Sequence, residues 1–291
     1  MPKTLDLNGT WLVSWTEGLH GSPDHAGQTE LDPGRYLEIT VPGELHRVLQ
    51  EARLIADPNV GLGSLAARWV EEQFWLYRRT FEAPPEALTQ PAWLVFEGLD
   101  LNAVVFLNGV EVGRHGNAHR PCRIEVTGKL QPGENVLSVR LESGLYGVAD
   151  KPGSDYATAP ETLLNKRHWL RKAQYQCGWD WNPRLINVGL VGDVRLEWSD
   201  QPWIEQLVVY PEFLGGGPEA VLHVRAFVVS PCSGPTDGRL VLVLPEAACD
   251  VESRVTIEPG ESRLDSLAWI GRPRLWWPVG HGEQPVARSP G

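Results

Sequence analysis

The chain has 291 residues, 42% of them hydrophobic and 22% charged, and a formal net charge of −11. That length allows one or two domains. The acidic balance argues against nucleic acid or an anionic membrane surface as a partner, since both attract basic patches.

Read in chain order, the pattern is of short strands separated by turn residues. YLEITV (36–41) is the first strand candidate, and GELHRVLQEA (43–52) comes next as a helix. In that helix Leu45, Val48, Leu49 and Ala52 recur at i, i+3, i+4 and i+7. WLYRRTF (75–81), AWLVFE (92–97) and NAVVFL (102–107) read as strands. Asn108-Gly109 then precedes VEVGR (110–114), and Asn-Gly between two apolar runs predicts a tight hairpin. RIEVT (123–127), NVLSVRL (135–141) and DVRLEW (193–198) continue the series, with a second predicted helix starting at Pro160 and running through ETLLNKRHWLRK. After Pro202 come EQLVVY, EAVLHVRAFVV, GRLVLVL, VESRVTI and SLAWI, with PEFLGGGPEA (211–220) as the loop between the first two. The spacing is that of a second all-β sandwich, which sets a boundary near Ser199–Trp203. Two helices are too few for alternating βα units.

Further constraints come from what the sequence lacks. MPKTLDLNGTW has no apolar signal-type stretch and no run of 18 apolar residues occurs, so no membrane association is expected. Cys122, Cys177, Cys232 and Cys249 form no CxxC and no dense disulfide framework; reduced thiols in a cytoplasmic protein are the expectation. His115 and His119 make an HxxxH outside any helical pattern, so neither a metal nor another cofactor is expected. Glu71-Glu72 beside a strand edge reads as solvated surface.

One stretch carries chemistry. GWDWNP (178–183) places a carboxylate, Asp180, between two indoles, Trp179 and Trp181. A sugar offers C–H faces that pack on an indole and vicinal hydroxyls that a carboxylate accepts. The competing reading makes the tryptophans core residues and Asp180 a turn cap.

The surrounding run, RKAQYQCGWDWNPRLINVGLVGDVRLE (171–197), resembles the loop and strand that end the first domain of β-mannosidases of glycoside hydrolase family 2. Asn182 stands where that family usually has Gly. LNGTW (7–11), VPGELHRVLQEARLIADPNVG (41–61), WVEEQFWLYRRTF (69–81) and LVFEGLDLNAVVFLNGVEVGRHGN (94–117) resemble further parts of the same domain. RLWWPVGHGEQP (274–285) resembles a motif near the end of the second domain, with Val279 and His281 replacing an Asn and a Tyr.

The resemblance implies an all-β chain. Residues 1–200 form a jelly-roll sandwich of the galactose-binding type, and 203–291 an immunoglobulin-like sandwich. With five strand candidates against the usual seven or so, the second sandwich reads as incomplete and open to self-association. The two catalytic glutamates of the family sit on a (β/α)₈ barrel of about 250 residues, for which residues 1–291 show no pattern. VARSPG (286–291) does not continue the family pattern, and truncation, frameshift and expressed fragment stay open as its origin. On this carry-over no residue here is catalytic. Asp180 binds hydroxyls of a terminal mannose, Trp179 lines the pocket, Trp181 lines it or joins the core, and Arg171 holds the loop, meets the pocket or is plain surface. The implied partner is a mannoside. Two other readings share the fold: a free-standing lectin-like protein and an inactive remnant.

Overall fold

The computed structural model describes residues 1–17, 34–153, 165–213, 215, 219–244 and 249–285. The chain divides into two compact units, Lys3–Trp198 and Ser199–Gly291 with Met1–Pro2.

Among the described residues of the larger unit twelve strands run in order: Lys3–Asp6 (β1), Gly9–Glu17 (β2), Tyr36–Val41 (β3), Gln73–Glu82 (β4), Ala92–Phe96 (β5), Leu99–Asp100 (β6), Asn102–Leu107 (β7), Val110–His115 (β8), Cys122–Glu125 (β9), Glu134–Glu142 (β10), Gly189–Leu190 (β11) and Val194–Trp198 (β12). They make a six-stranded sheet, β3-β2-β4-β10-β7-β8, a four-stranded sheet, β1-β12-β5-β9, and a small β11-β6 pair. All pairings are antiparallel.

Alternation decides which face is inward. In β10, Leu137, Val139 and Leu141 are buried. Val139 lies opposite Tyr77 and Val105, and Leu141 opposite Trp75 and Ala103, so each buried row crosses several strands. These rows join Leu94, Phe96 and Leu196 of the other sheet in one core. Replacing a fully buried aromatic such as Trp75 with Ala in such a core costs about 3–5 kcal/mol. Asn108 and Gly109 form the predicted hairpin turn with φ of 52° and 79°. Positive φ at both positions is what the tight type I′ turn requires.

The first predicted helix is present as Leu45–Glu51 (α1), with Leu45 and Leu49 facing the core. The second differs. Residues 160–164 lie outside the described residues, and the segment after them makes only a 3₁₀ turn, Arg167–Trp169, before becoming extended at Leu170. The polar groups here bond outward: Trp169 Nε1 donates to Pro152 O at 3.0 Å, and Ala118 N donates to Arg171 O at 2.8 Å. Leu170 packs in a satellite cluster with Leu101, Val148, Cys177 and Ile186. Packing therefore overrides the helical pattern. Among the described residues two short helices, Gly63–Ala66 (α2) and Pro85–Thr89 (α3), also occur, and no helix is long and apolar enough to cross a membrane.

The second unit holds Trp203–Phe213 (β13), Ala220–Ser230 (β14), Thr236–Leu244 (β15), Cys249–Ile257 (β16) and Gly260–Ile270 (β17). Its sheets are β13-β14-β17 and the β15-β16 hairpin. β13 absorbs Pro211, Glu212 and Phe213, which the sequence pattern assigned to a loop. Pro211 is tolerated because β13 is an edge strand. Ala220, Val224, Ala226 and Val228 of the central strand are buried. On β13, Ile204, Leu207, Val209 and Phe213 stay about half exposed, Leu207 at 53%. VARSPG lies outside the described residues.

Candidate functional site

GWDWNP closes a loop at the end of the segment from Arg171. Residues Gln174–Cys177 form one 3₁₀ turn, and Gly178 then turns the chain with φ 102°. A side chain at φ 102° is strained, and the position is buried, so glycine is required there. Trp179 N donates to Asn182 O at 2.9 Å and Asn182 N returns a bond to Trp179 O at 3.4 Å. This four-residue turn puts Asp180 and Trp181 at its tip.

The family's usual Gly at 182 is an Asn here, and its side chain has work to do. Asn182 Nδ2 donates to Tyr175 O at 3.2 Å and Pro183 O at 3.0 Å, which ties the turn to the preceding 3₁₀ segment.

All four candidate residues face solvent. Trp179 is 50% and Trp181 70% exposed, and Asp180 and Arg171 are exposed too. Trp181 is therefore not a core residue; its ring instead meets Tyr175 at 6.0 Å between centroids. The Asp180 carboxylate accepts no hydrogen bond from any described residue, as a turn cap would. Trp179 carries the Arg167 guanidinium 5.6 Å from its ring centroid, and Arg167 Nη1 donates to Gly178 O at 3.2 Å. Arg167, not Arg171, thus grips the loop from the outside.

The loop is anchored from beneath by buried polar groups. Lys172 is buried beside Arg171, and its Nζ sits 2.8 Å from Asp100 Oδ1, a close ion contact off the hydrogen-bond line. It also donates to Asn187 O at 2.7 Å and Ser143 O at 3.1 Å. Gln176 Nε2 donates to Asp100 Oδ2 at 3.3 Å, while Gln176 Oε1 accepts from Asn187 N at 3.0 Å. Glu71 is buried, not solvated, and is paired with Arg184 just past the turn. Burial pushes the Glu71 carboxyl above its usual range, and the Arg184 hydrogen bond pulls it back. Burial likewise raises the Glu142 carboxyl, against hydrogen bonds from Asn102 and from Gly144 N at 2.7 Å. Lys172 and Gln176 lie in the run 171–197 that carries the family resemblance, and residue type alone does not show that they are buried.

At the foot of the loop lies a pocket of about 370 Å³. Its walls include Glu44, His119 and Tyr175, and Asp100, Gln176 and Asn187 form its polar floor. Among the described residues no group of three or more His, Cys, Asp or Glu is placed to hold a metal. His115 instead donates its Nε2 proton to Asn117 O at 2.7 Å.

Comparison with known proteins gives the family. Residues 22–192 match the family described as glycosyl hydrolase 2 galactose-binding domain-like. The chain is 26% identical to the β-mannosidase of Rattus norvegicus over 97% of its own length and 31% of the rat protein. It is 28% identical to β-mannosidase B of Emericella nidulans over 87% of the chain and 30% of that protein. The crystal structure of β-D-mannosidase from Dictyoglomus thermophilum superposes with a TM-score of 0.79 at 29% identity, covering 97% of this chain and 33% of that one. The chain thus spans about a third of the length of these relatives. With a family match over more than half of its residues, a sandwich of the expected kind and the loop motif in place, the chain belongs to glycoside hydrolase family 2 and carries its galactose-binding-like domain.

Proposed function

We propose that this chain is the non-catalytic sandwich portion of a β-mannosidase-like glycoside hydrolase, and that its GWDWNP loop binds the terminal sugar of a β-mannoside. Asp180 accepts sugar hydroxyls, and Trp179 and Trp181 offer C–H-binding faces. Bond cleavage falls to two glutamates of a retaining mechanism on a barrel domain of the whole enzyme. One observation carries the reading. The turn Trp179–Asn182 holds a carboxylate that accepts nothing from the described protein, between two indoles at least half exposed. An exposed carboxylate flanked by exposed indoles suits a ligand with both hydroxyls and apolar faces.

The magnitude is modest for the chain alone. A charge-assisted hydrogen bond contributes about 1.5–3 kcal/mol net, and a millimolar Kd needs about −4.1 kcal/mol. Mannose binding by the isolated chain is therefore millimolar at best. Asp180→Asn keeps the shape and swaps one acceptor for a donor. It should abolish mannose binding and leave the melting temperature within about 2 °C, since it removes no hydrogen bond to a described residue. A loss of about 0.5–2 kcal/mol of stability with no mannose binding in the parent chain would favour the turn-cap reading instead.

The reading also assigns self-association to the second unit, on the half-exposed apolar residues of edge strand β13. An open strand edge is a template for pairing. Sedimentation equilibrium of the chain with and without Leu207→Lys tests this. Dimers that persist in the variant would rule out that surface.

A further inference from the structure

The geometry points to a second sugar subsite in the pocket at the foot of the GWDWNP loop, taking the ring that comes after the terminal mannose of a β-mannoside. This rests on the reading of Asp180 above and extends it to the substrate's second residue.

The pocket's chemistry selects an uncharged, hydroxyl-bearing ligand. Its volume of about 370 Å³ sits at the low end of small-molecule sites, which run from about 300 Å³ upward. That suits one ring rather than an extended chain. Lysine and arginine are missing from its lining, so nothing there recruits a phosphate or carboxylate. The Asp100 carboxylate in the floor is compensated by Lys172 at 2.8 Å, which leaves Glu44 at the rim as the one uncompensated carboxylate. Gln176 and Asn187 bring amide groups to the floor, and His119 adds a ring nitrogen at the rim. These are mixed donors and acceptors, which ring hydroxyls match.

The pocket is continuous with the loop. Tyr175 forms one wall, and its ring meets Trp181 at 6.0 Å, next to Asp180 in sequence. A disaccharide whose first ring lies at the turn can therefore lead its second along Tyr175. The floor is also held by hydrogen bonds. The Gln176 side chain and the Asn187 backbone are tied into the Asp100–Lys172 network, so that part of the floor needs little ordering on binding.

The test uses isothermal titration or saturation-transfer NMR of the full chain with mannose and with β-1,4-mannobiose. Mannobiose should bind roughly tenfold more tightly than mannose. The double variant Glu44→Gln/His119→Ala should bring mannobiose down to the mannose level and leave mannose unchanged. Both residues are exposed, and Glu44 makes no side-chain cap to its helix, so the variant should fold; a melting curve checks that. Asp180→Asn should weaken both sugars. Mannose and mannobiose binding equally well, or a double variant that binds mannobiose like the parent, overturns the subsite while the Asp180 reading stands. Binding of mannobiose that responds to Glu44 and His119 but not to Asp180 keeps the subsite and overturns the loop. If neither sugar binds, both readings fall.

Discussion

Lys172→Met tests the scaffold beneath the loop. The substitution keeps most of the side-chain volume and removes the ammonium. Asp100, only 3% exposed, then holds a carboxylate with Gln176 Nε2, at 3.3 Å, as its one hydrogen-bond donor among the described residues. Ser143 O and Asn187 O each lose a donor as well. Breaking a buried pair by removing one partner costs about 3–5 kcal/mol, because it strands an uncompensated charge. For a unit of this size each kcal/mol moves the melting temperature by about 2–4 °C, so the expected drop is about 6–20 °C. The double variant Lys172→Met/Asp100→Leu should recover most of that, since an apolar replacement of a buried pair is often neutral. A residue of about 1 kcal/mol should remain from the Gln176 amide that has lost its acceptor.

Calorimetry of parent, single and double variants at pH 7 reads all of this. A deficit under about 1 kcal/mol in Lys172→Met, or a double variant that recovers none of the loss, would refute the assignment of the pair as the loop's anchor.

Other outcomes rest on single features. His46 is buried on α1, and burial with the nearby Lys172 charge holds its pKa at about 4 against 6.5 in the open chain. The unfolded state then takes up the proton first, so stability falls as pH drops from 6.5 to about 4, by about 3 kcal/mol at most, and His46→Gln should flatten that slope in acid denaturation. Gly189 has a φ of 150°, and a Cβ there would lie 2.5 Å from the Tyr77 hydroxyl; Gly189→Ala should cost about 1–3 kcal/mol by overpacking in urea titrations. Hydrogen exchange should find the amides of strands β13 to β17 opening before those of β4 and β10, because β13 leaves its apolar side chains half exposed; uniformly slow exchange in a demonstrated monomer would contradict this. The purified chain should not hydrolyse aryl β-mannosides above a buffer blank, since its buried carboxylates Glu71, Asp100, Glu142 and Glu197 are each held by a cation or an amide.

Strand order was legible where side-chain alternation and turn chemistry coincide. Asn108-Gly109 is the clearest case, because two positive φ values leave few other residues that fit. The helix over 45–51 was legible for a similar reason: its inward residues recur at helical spacing. The second predicted helix failed because periodicity cannot see that Leu170 is needed in a cluster with Leu101 and Ile186, which lie far away in sequence. Pro211 misled in the other direction. A proline marks a strand's end only where its missing N–H was needed, and on an edge strand it need not be.

The site divides the same way. Asp180, Trp179 and Trp181 were candidates through the resemblance of 171–197 to the family's loop, because Trp-Asp-Trp alone is a weak signal; the structure puts all three on the exposed face of a turn. Lys172, Gln176 and Asp100 were not candidates, because each is an ordinary polar residue whose role comes from its burial. Asp100 and Lys172 are far apart in the chain, and only the packing of β6 against the 171–188 segment brings their charges within 2.8 Å. An exposed loop and its support thus leave different traces. The tip is written in residue types, and the support in long-range contacts. In this fold the support is the costlier part to disturb. Changing Asp180 removes no hydrogen bond to a described residue, whereas changing Lys172 strands a buried charge worth several kcal/mol. Loop position should therefore be far more sensitive to Lys172 than to Asp180, and sugar recognition should depend on both, the first through geometry and the second through contact.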